Sequence, residues 1–349
     1  MSKYAVVMFN LGGPDNLKAV KPFLFNLFHD PAIIRLPQPF RWMLAKWISF
    51  KRDRKAQGIY QEMGGKSPIL EQTLQQAQAL EMMLKQKSED EYKTFVSMRY
   101  WHPMSQTVAK NIKQYQPDHI ILLPLYPQFS TTTTASSFAD WQQAAEAIGL
   151  DVPTTRICCY PTERSFIAAH VKLIKDSYWK AAEFGKPRLL FSAHGLPKKV
   201  IAAGDPYQWQ VEKTVEQVCQ ILTIDKLDYR ISYQSRVGPL EWIGPSTEDE
   251  IMRAGEDKVP LVVIPIAFVS EHSETLVELD IEYRQLAQRN GVPSYQRVRA
   301  LSVEPHFIEA LANLCLASGK DTALCSFQIT RYCPKNLSAC AHNIMEKAA

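Results

Sequence analysis

Seven short runs rich in β-branched and aliphatic residues recur along this chain, separated by amphipathic stretches of helical period, and that alternation restricts the fold more than any other feature. The runs are Tyr4–Phe9, Tyr92–Met98, His119–Leu123, Val152–Ile157, Arg188–Ser192, Asp228–Ser232 and Pro260–Ile264. Between them lie Glu71–Lys87, Thr134–Ile148, Ser165–Ala182, Trp209–Leu222 and Thr275–Asn290. Parallel neighbours need long crossovers, so this alternation implies βαβ units and an α/β fold. It restarts near Val152, after a loop around Gly149. We therefore expect two similar doubly wound domains, residues 1–150 and 151–318, each with about four parallel strands. The functional cleft would lie between them, and residues 319–349 would form a Cys-containing extension.

Composition narrows the function classes. The 349 residues are 46% apolar and 22% charged, as in a folded globular protein. The 40 basic and 36 acidic residues are too evenly balanced for a nucleic-acid footprint, which needs a concentrated basic face. The first residues enter a strand with no secretory leader, and no apolar run reaches the roughly 18 residues of a membrane span. The expected location is cytoplasmic, or peripheral on the inner membrane. Seven cysteines, an odd number unevenly placed, suit a reducing compartment rather than a disulfide framework.

One segment resists the βαβ pattern. From Phe23 to about residue 50 it is dense in aromatic and aliphatic side chains, interrupted by Pro31, Pro37 and Pro39. Short broken helices are expected, either packed on a core of their own or presenting an apolar lip to a ligand or a membrane.

Chemistry concentrates at two strand ends. Phe191-Ser192-Ala193-His194-Gly195-Leu196-Pro197 ends one apolar run, and Phe268-Val269-Ser270-Glu271-His272-Ser273-Glu274 follows another. Open α/β sheets bind ligands beyond the carboxyl ends of their strands, which makes His194 a candidate base or ligand. Glu274, Glu278 and Glu282 fall at i, i+4 and i+8, with Glu271 and His272 just ahead. Like charges four apart cost a helix a few tenths of a kcal/mol per pair. Such a ladder is either a solvated face or, opposite a histidine, a path for a divalent cation or for protons. There is no Gly-x-Ser-x-Gly elbow and no phosphate-cradling loop with Lys, and Asn10-Leu11-Gly12-Gly13-Pro14 lacks the third glycine of a dinucleotide fingerprint.

Together with Gly204-Asp205-Pro206-Tyr207, Gln234-Ser235-Arg236-Val237-Gly238-Pro239, Trp242, Gly244-Pro245, Gly64-Gly65-Lys66-Ser67-Pro68 and Tyr126-Pro127-Gln128, these motifs resemble the ferrochelatases over nearly the whole chain. The resemblance implies two Rossmann-like domains in a chelatase fold and insertion of ferrous iron into protoporphyrin IX, the last step of haem synthesis. By the same resemblance His194 is proton acceptor, metal ligand or both, and Glu274 is its partner across the site. Glu271, His272, Glu278 and Glu282 would form an outer relay for protons or metal. Arg52, Tyr60 and Ser67 would meet the propionates, and Leu11, Tyr126, Trp242 and Phe268 would line the macrocycle. Some family members hold a 2Fe-2S cluster on three C-terminal cysteines and one from the body of the chain. Cys325, Cys333 and Cys340 supply three here, and Cys158 or Cys159 the fourth. A chelatase for coproporphyrin or another tetrapyrrole would keep His194 and Glu274 while changing the lip. A two-domain haem or metal-chelate binding protein without chemistry is the alternative from another class.

Overall fold

The computed structural model describes residues 1–236, 238, 240–318, 324–326 (backbone alone) and 331–342. Its strands are β1 (Lys3–Asn10), β2 (Glu91–Met98), β3 (His119–Pro124), β4 (Thr154–Cys159), β5 (Arg188–His194), β6 (Asp228–Gln234), β7 (Leu261–Pro265), β8 (Tyr295–Arg297) and β9 (Leu324–Ser326). Two parallel sheets result, ordered β2-β1-β3-β4-β9 and β6-β5-β7-β8. Each expected run forms a strand. Strands buried on both faces read as continuous apolar runs, and Ala5 to Phe9, Ile120 to Leu123 and Leu261 to Ile264 are all buried.

The break between the halves falls later than the sequence pattern implies. β4, expected to open the second domain, pairs with β3, setting Thr154 beside Ile120 and Arg156 beside Leu122. The loop at Gly149 is only the tight return after helix Thr134–Ala147: Gly149 adopts a φ of 60°, and its N–H donates to the Glu146 carbonyl. That return lays β4 against β3, and the second sheet begins with β5. Described residues of the expected 319–349 extension join the first sheet. β9 adds to the edge of the first sheet, with Cys325 opposite Ile157, while helix Pro305–Ala317 packs on helices Ile69–Lys87 and Arg164–Ala182. One apolar cluster consequently runs from Val6 and Met8 through Phe166 and Phe307 to Phe191 and Ile264.

The proline-interrupted segment is less broken than expected. After helix Val20–His29 the chain turns, and from Phe40 it forms a single helix to Glu62. Pro39 stands just before the first turn, where its missing N–H costs the helix nothing. Val20, Phe23, Leu24, Tyr60 and Tyr100 make a small core under the two helices. The outer side nevertheless leaves Phe40, Met43, Trp47 and Phe50 exposed, Phe50 by 69%.

Candidate active site

The strand tips of the second sheet converge. His194 ends β5 beside Gln234, which ends β6. Gly195 allows that approach: its N–H donates to the Gln234 carbonyl at 2.9 Å, and a Cβ there would stand 3.0 Å from the same oxygen and 3.2 Å from Arg236 Cγ. The chain leaving β7 loops through Ser270 and then winds Glu274–Glu282 as a π-helix, a rare form found mostly at functional sites. Glu274 enters its first turn facing His194.

His194 Nδ1 and Glu274 Oε2 share a hydrogen bond of 2.8 Å. Burial disfavours the imidazolium, but the Glu274 charge and hydrogen bond, aided by Glu278, outweigh it and raise the His194 pKa. Burial likewise disfavours the Glu274 carboxylate; the His194 charge and hydrogen bond, with His272 and the Ser235 hydroxyl, win and bring it down to about 2. The result is a tightly coupled imidazole–carboxylate pair at the open end of a sheet, which with the imidazole neutral can hold a cation or take a proton.

A polar scaffold beyond the pair escaped the sequence reading. The Ser235 hydroxyl donates to Glu274 Oε2 at 3.1 Å and also to Glu278 Oε2, linking the two carboxylates. Glu278 accepts further bonds from the Ser235 N–H at 2.9 Å, Gln234 Nε2 at 3.1 Å and the Tyr283 hydroxyl at 3.0 Å. Burial, and then the Glu274 charge, push the Glu278 pKa up against these donors. Ser235 has a φ of 60°, a left-handed conformation unusual for a residue with a Cβ, and such strain clusters at functional sites. The only sequence signal for Gln234 and Ser235 was their membership of the Gln234–Pro239 motif, and Tyr283 had none.

The other acidic candidates separate. Glu271 is captured elsewhere: Oε1 accepts from Arg297 Nη1 at 2.8 Å and from the Ala300 N–H at 2.9 Å, and Oε2 lies 3.0 Å from the same Arg297 nitrogen. Its own N–H reaches Gln72 Oε1 at 2.8 Å, stitching this loop to the first domain. His272 is buried, its ring 4.8 Å from that of Phe268, and burial lowers its pKa against the pull of the Glu274 and Glu271 charges. Glu282 is exposed at the far end of the π-helix.

Of the expected substrate contacts, Tyr60 is buried on the lip helix, and burial, with the nearby Glu274 charge adding to it, pushes its phenol up to about 12. Leu11 packs on the same small core as Tyr60, and Arg52 lies on that helix with its guanidinium 5.8 Å from the Phe28 ring centroid. Ser67 is buried against Gly13, where a Cβ would come within 2.6 Å of it. Trp242 packs near Gly195 and bridges Pro197, and Phe268 follows β7. Tyr126 stands just past β3 and packs on the cluster of Phe9, Leu122 and Trp141. Buried amides close the seam between the sheets: Asn10 Nδ2 bonds Thr73 Oγ1 at 3.0 Å and Ser270 Oγ at 3.3 Å, and Gln76 Nε2 bonds the Val269 carbonyl at 2.9 Å.

Four of the cysteines lie near helix Tyr207–Leu222, where Gln210 Nε2 meets the Cys159 and Cys333 sulfurs. Cys158, Cys159, Cys333 and Cys340 are all buried, Cys333 the most exposed at 5%. The Cys158 and Cys159 sulfurs lie 3.5 Å apart, and the Cys340 contact, together with burial, raises the Cys333 thiol. Gly204 makes room for the C-terminal segment: a Cβ on it would stand 2.5 Å from Ser338 Oγ. Cys325 has only its backbone among the described residues. Among those residues no group of three or more His, Cys, Asp or Glu side chains is arranged to hold a metal ion.

A family model described as Ferrochelatase matches residues 3–318. The chain belongs to the ferrochelatase family. It is 54% identical over 314 residues to the ferrochelatase of Wolbachia sp. subsp. Drosophila simulans, covering 90% of this chain and 99% of the relative. The Rickettsia bellii ferrochelatase is 49% identical over 97% of this chain and 94% of its own length, and that of Pelagibacter ubique 49% over 97% and 98%. Among solved structures, SirB from Bacillus subtilis with Fe3+ superposes with a TM-score of 0.54 at 11% identity, covering 91% of this chain and 96% of SirB. At that identity the likeness bears on the fold alone, and it agrees with two parallel sheets flanked by helices. This ferrochelatase is thus a metal chelatase of haem synthesis whose metal substrate is iron.

Proposed function

We propose that the enzyme inserts Fe(II) into protoporphyrin IX, with His194 and Glu274 on one face of the macrocycle. The observation that carries this reading is the 2.8 Å His194–Glu274 pair at the strand tips, with the phenol of Tyr60 on the lip helix close enough to feel the Glu274 charge. Insertion demands that two pyrrole protons leave as the metal sheds water, and bending the ring exposes its lone pairs; a gripping apolar wall supplies the binding energy for that distortion. Leu11, Tyr126, Trp242 and Phe268 are the proposed wall, with Arg52, Tyr60 and Ser67 for the propionates. Anaerobic incubation with Fe(II) and protoporphyrin should yield many equivalents of haem per chain. One equivalent or fewer would mean a binding protein, and faster turnover on coproporphyrin would reassign the substrate.

The relay we propose runs from Glu274 through the Ser235 hydroxyl to Glu278 and out to exposed Glu282. His272 stands beside its start as an acceptor. Glu271 holds the loop through Arg297 and does not join the path. Glu278→Gln would set an amide N–H₂ against two of the four donors, whichever oxygen it replaces, costing roughly 1–3 kcal/mol. Turnover should fall while porphyrin affinity, read by fluorescence quenching, stays near that of the parent. Unchanged turnover would make the ladder a wet helix face.

We propose the 2Fe-2S cluster from the cysteine pattern alone, since among the described residues no three His, Cys, Asp or Glu side chains are grouped to hold a metal ion. Four thiolates are the usual complement of such a cluster. Cys333, Cys340, Cys325 and either Cys158 or Cys159 would hold it; Cys159 is favoured by its shared donor with Cys333. Bound there, the group would supply a one-electron couple and a cross-link between the extension and β4.

Peripheral membrane contact is the proposed role of the lip's outer face. A groove of about 380 Å³ is lined by Lys21, Trp42, Met43, Lys46, Trp47 and Phe50, with Lys46 Nζ 4.7 Å over Trp42 and Lys21 Nζ 5.1 Å over Phe50. Aromatic rings flanked by lysines suit an anionic lipid interface. Among the described residues no helix is long and apolar enough to cross a membrane. Flotation with phosphatidylglycerol-containing liposomes should carry the protein upward, and Trp47→Glu together with Phe50→Glu should leave it at the bottom. Equal flotation of parent and variant would remove the lip from this role.

A further inference from the structure

Buried polar side chains gather behind the catalytic pair. Ser192 and Ser232 sit side by side in β5 and β6, two residues before His194 and Gln234 and on the same face of the sheet. Thr247 opens helix Thr247–Glu256, and Ser192, Ser232, Gln234 and Thr247 are all completely buried. Their hydrogen bonds fix every side-chain proton among them. Gln234 Nε2 lies 3.1 Å from Glu278 Oε2 and 3.5 Å from the Glu274 carbonyl, an oxygen that can only accept, so the amide nitrogen must face them. Gln234 Oε1 therefore faces Ser192, whose hydroxyl donates its one proton there at 2.7 Å. Ser192 is left to accept from Thr247 at 2.9 Å, and Thr247 in turn accepts from Ser232 at 3.0 Å. The chain thus runs one way, from Ser232 through Thr247, Ser192 and Gln234 to Glu278. Bonds aligned in this manner polarise one another in a dry interior. The amide in its path passes no proton, so the chain is a fixed support and not a second relay.

We propose that Ser192 and Thr247 are positioning residues for metal insertion: they lock the Gln234 amide in the one orientation that donates to Glu278 and to the Glu274 backbone. The inference rests on the reading that Glu278 carries protons away from Glu274. Gln234 spans one turn of the π-helix, from the Glu274 carbonyl to the Glu278 carboxylate, while the Ser235 hydroxyl bridges the two carboxylates beside it. Turned the other way, the amide would set its oxygen against Glu278 Oε2, two acceptors face to face. The carboxylate would then be driven from the hydroxyl it shares with Glu274. Ser192 and Thr247 have no exposed surface and act only through Gln234.

The test is haem formation by the full chain. Ser192→Ala and the isosteric Thr247→Val should each lower kcat by roughly tenfold, the worth of one buried hydrogen bond, with KM for porphyrin unchanged. Thr247→Ser keeps the hydroxyl and should run near the parent rate. A packing role predicts the reverse, a fast valine variant and a slow serine one. In a Glu278→Gln background neither Ser192→Ala nor Thr247→Val should slow the enzyme further, because both act on that carboxylate. Parent turnover in either single variant, or losses that multiply with that of Glu278→Gln, overturns the role of the two residues. If Ser192→Ala fails to fold, the Thr247 variants decide. Parent turnover in Glu278→Gln itself sinks the relay reading, and this proposal with it.

Discussion

His194→Ala should all but abolish metal insertion in a protein that still folds and still binds porphyrin. A positioned base is worth on the order of 10²–10⁴-fold, and a residue that also receives the metal is worth more. Its structural cost is smaller. The His194 side chain is 39% exposed at a strand tip, and its removal leaves Glu274 with the Ser235 hydroxyl as a remaining donor. Losing one hydrogen bond to a carboxylate costs about 1.5–3 kcal/mol, discounted here by solvent. Thermal unfolding should therefore stay cooperative, and porphyrin fluorescence should still be quenched on titration. Haem formation from Fe(II) and porphyrin is the deciding measurement, and a rate near that of the parent would remove His194 from the mechanism.

The location of that pair was legible because strand ends carry their signal in cis: an apolar run, then a histidine, then glycine and proline. The central strands were legible for a related reason, since burial on both faces leaves an unbroken run such as Ala5 to Phe9. β8 and β9, three residues each, are too short to show any period. Polar residues that act only by contact were invisible too. Nothing in the spacing of the acidic ladder told that Arg297, twenty-six positions on, would claim Glu271. Nor could it tell that Ser235, at the end of another strand, would bridge Glu274 and Glu278. Strand alternation would send Cys158 and Cys159 to opposite faces; the register shift between Ile157 and Cys159 brings their sulfurs together instead.

Glu274→Gln separates the charge of the pair from its shape, and the pH profile reads the difference. To take a pyrrole proton His194 must be neutral, so kcat/KM in the parent should rise with pH through a limb above the ordinary histidine value of 6.5. In the variant the amide oxygen can still accept from Nδ1, which keeps the ring in place. The charge that raised the imidazole is gone, while burial, which lowers it, stays. The acid limb should move to lower pH and the plateau should fall by about 10²-fold or more, because the base is weaker and the incoming cation loses its anionic ligand. Stability should report the same coupling. Glu274, depressed to about 2, contributes stability that is present above the usual carboxylate range and lost as pH falls toward that value. His194, raised, contributes stability that is full below 6.5 and lost as pH rises through its elevated value. The parent's advantage over the variant in thermal unfolding should thus be greatest between about pH 5 and 6.5 and shrink on either side. An acid limb that stays fixed, or moves upward, would mean that Glu274 does not set the basicity of His194.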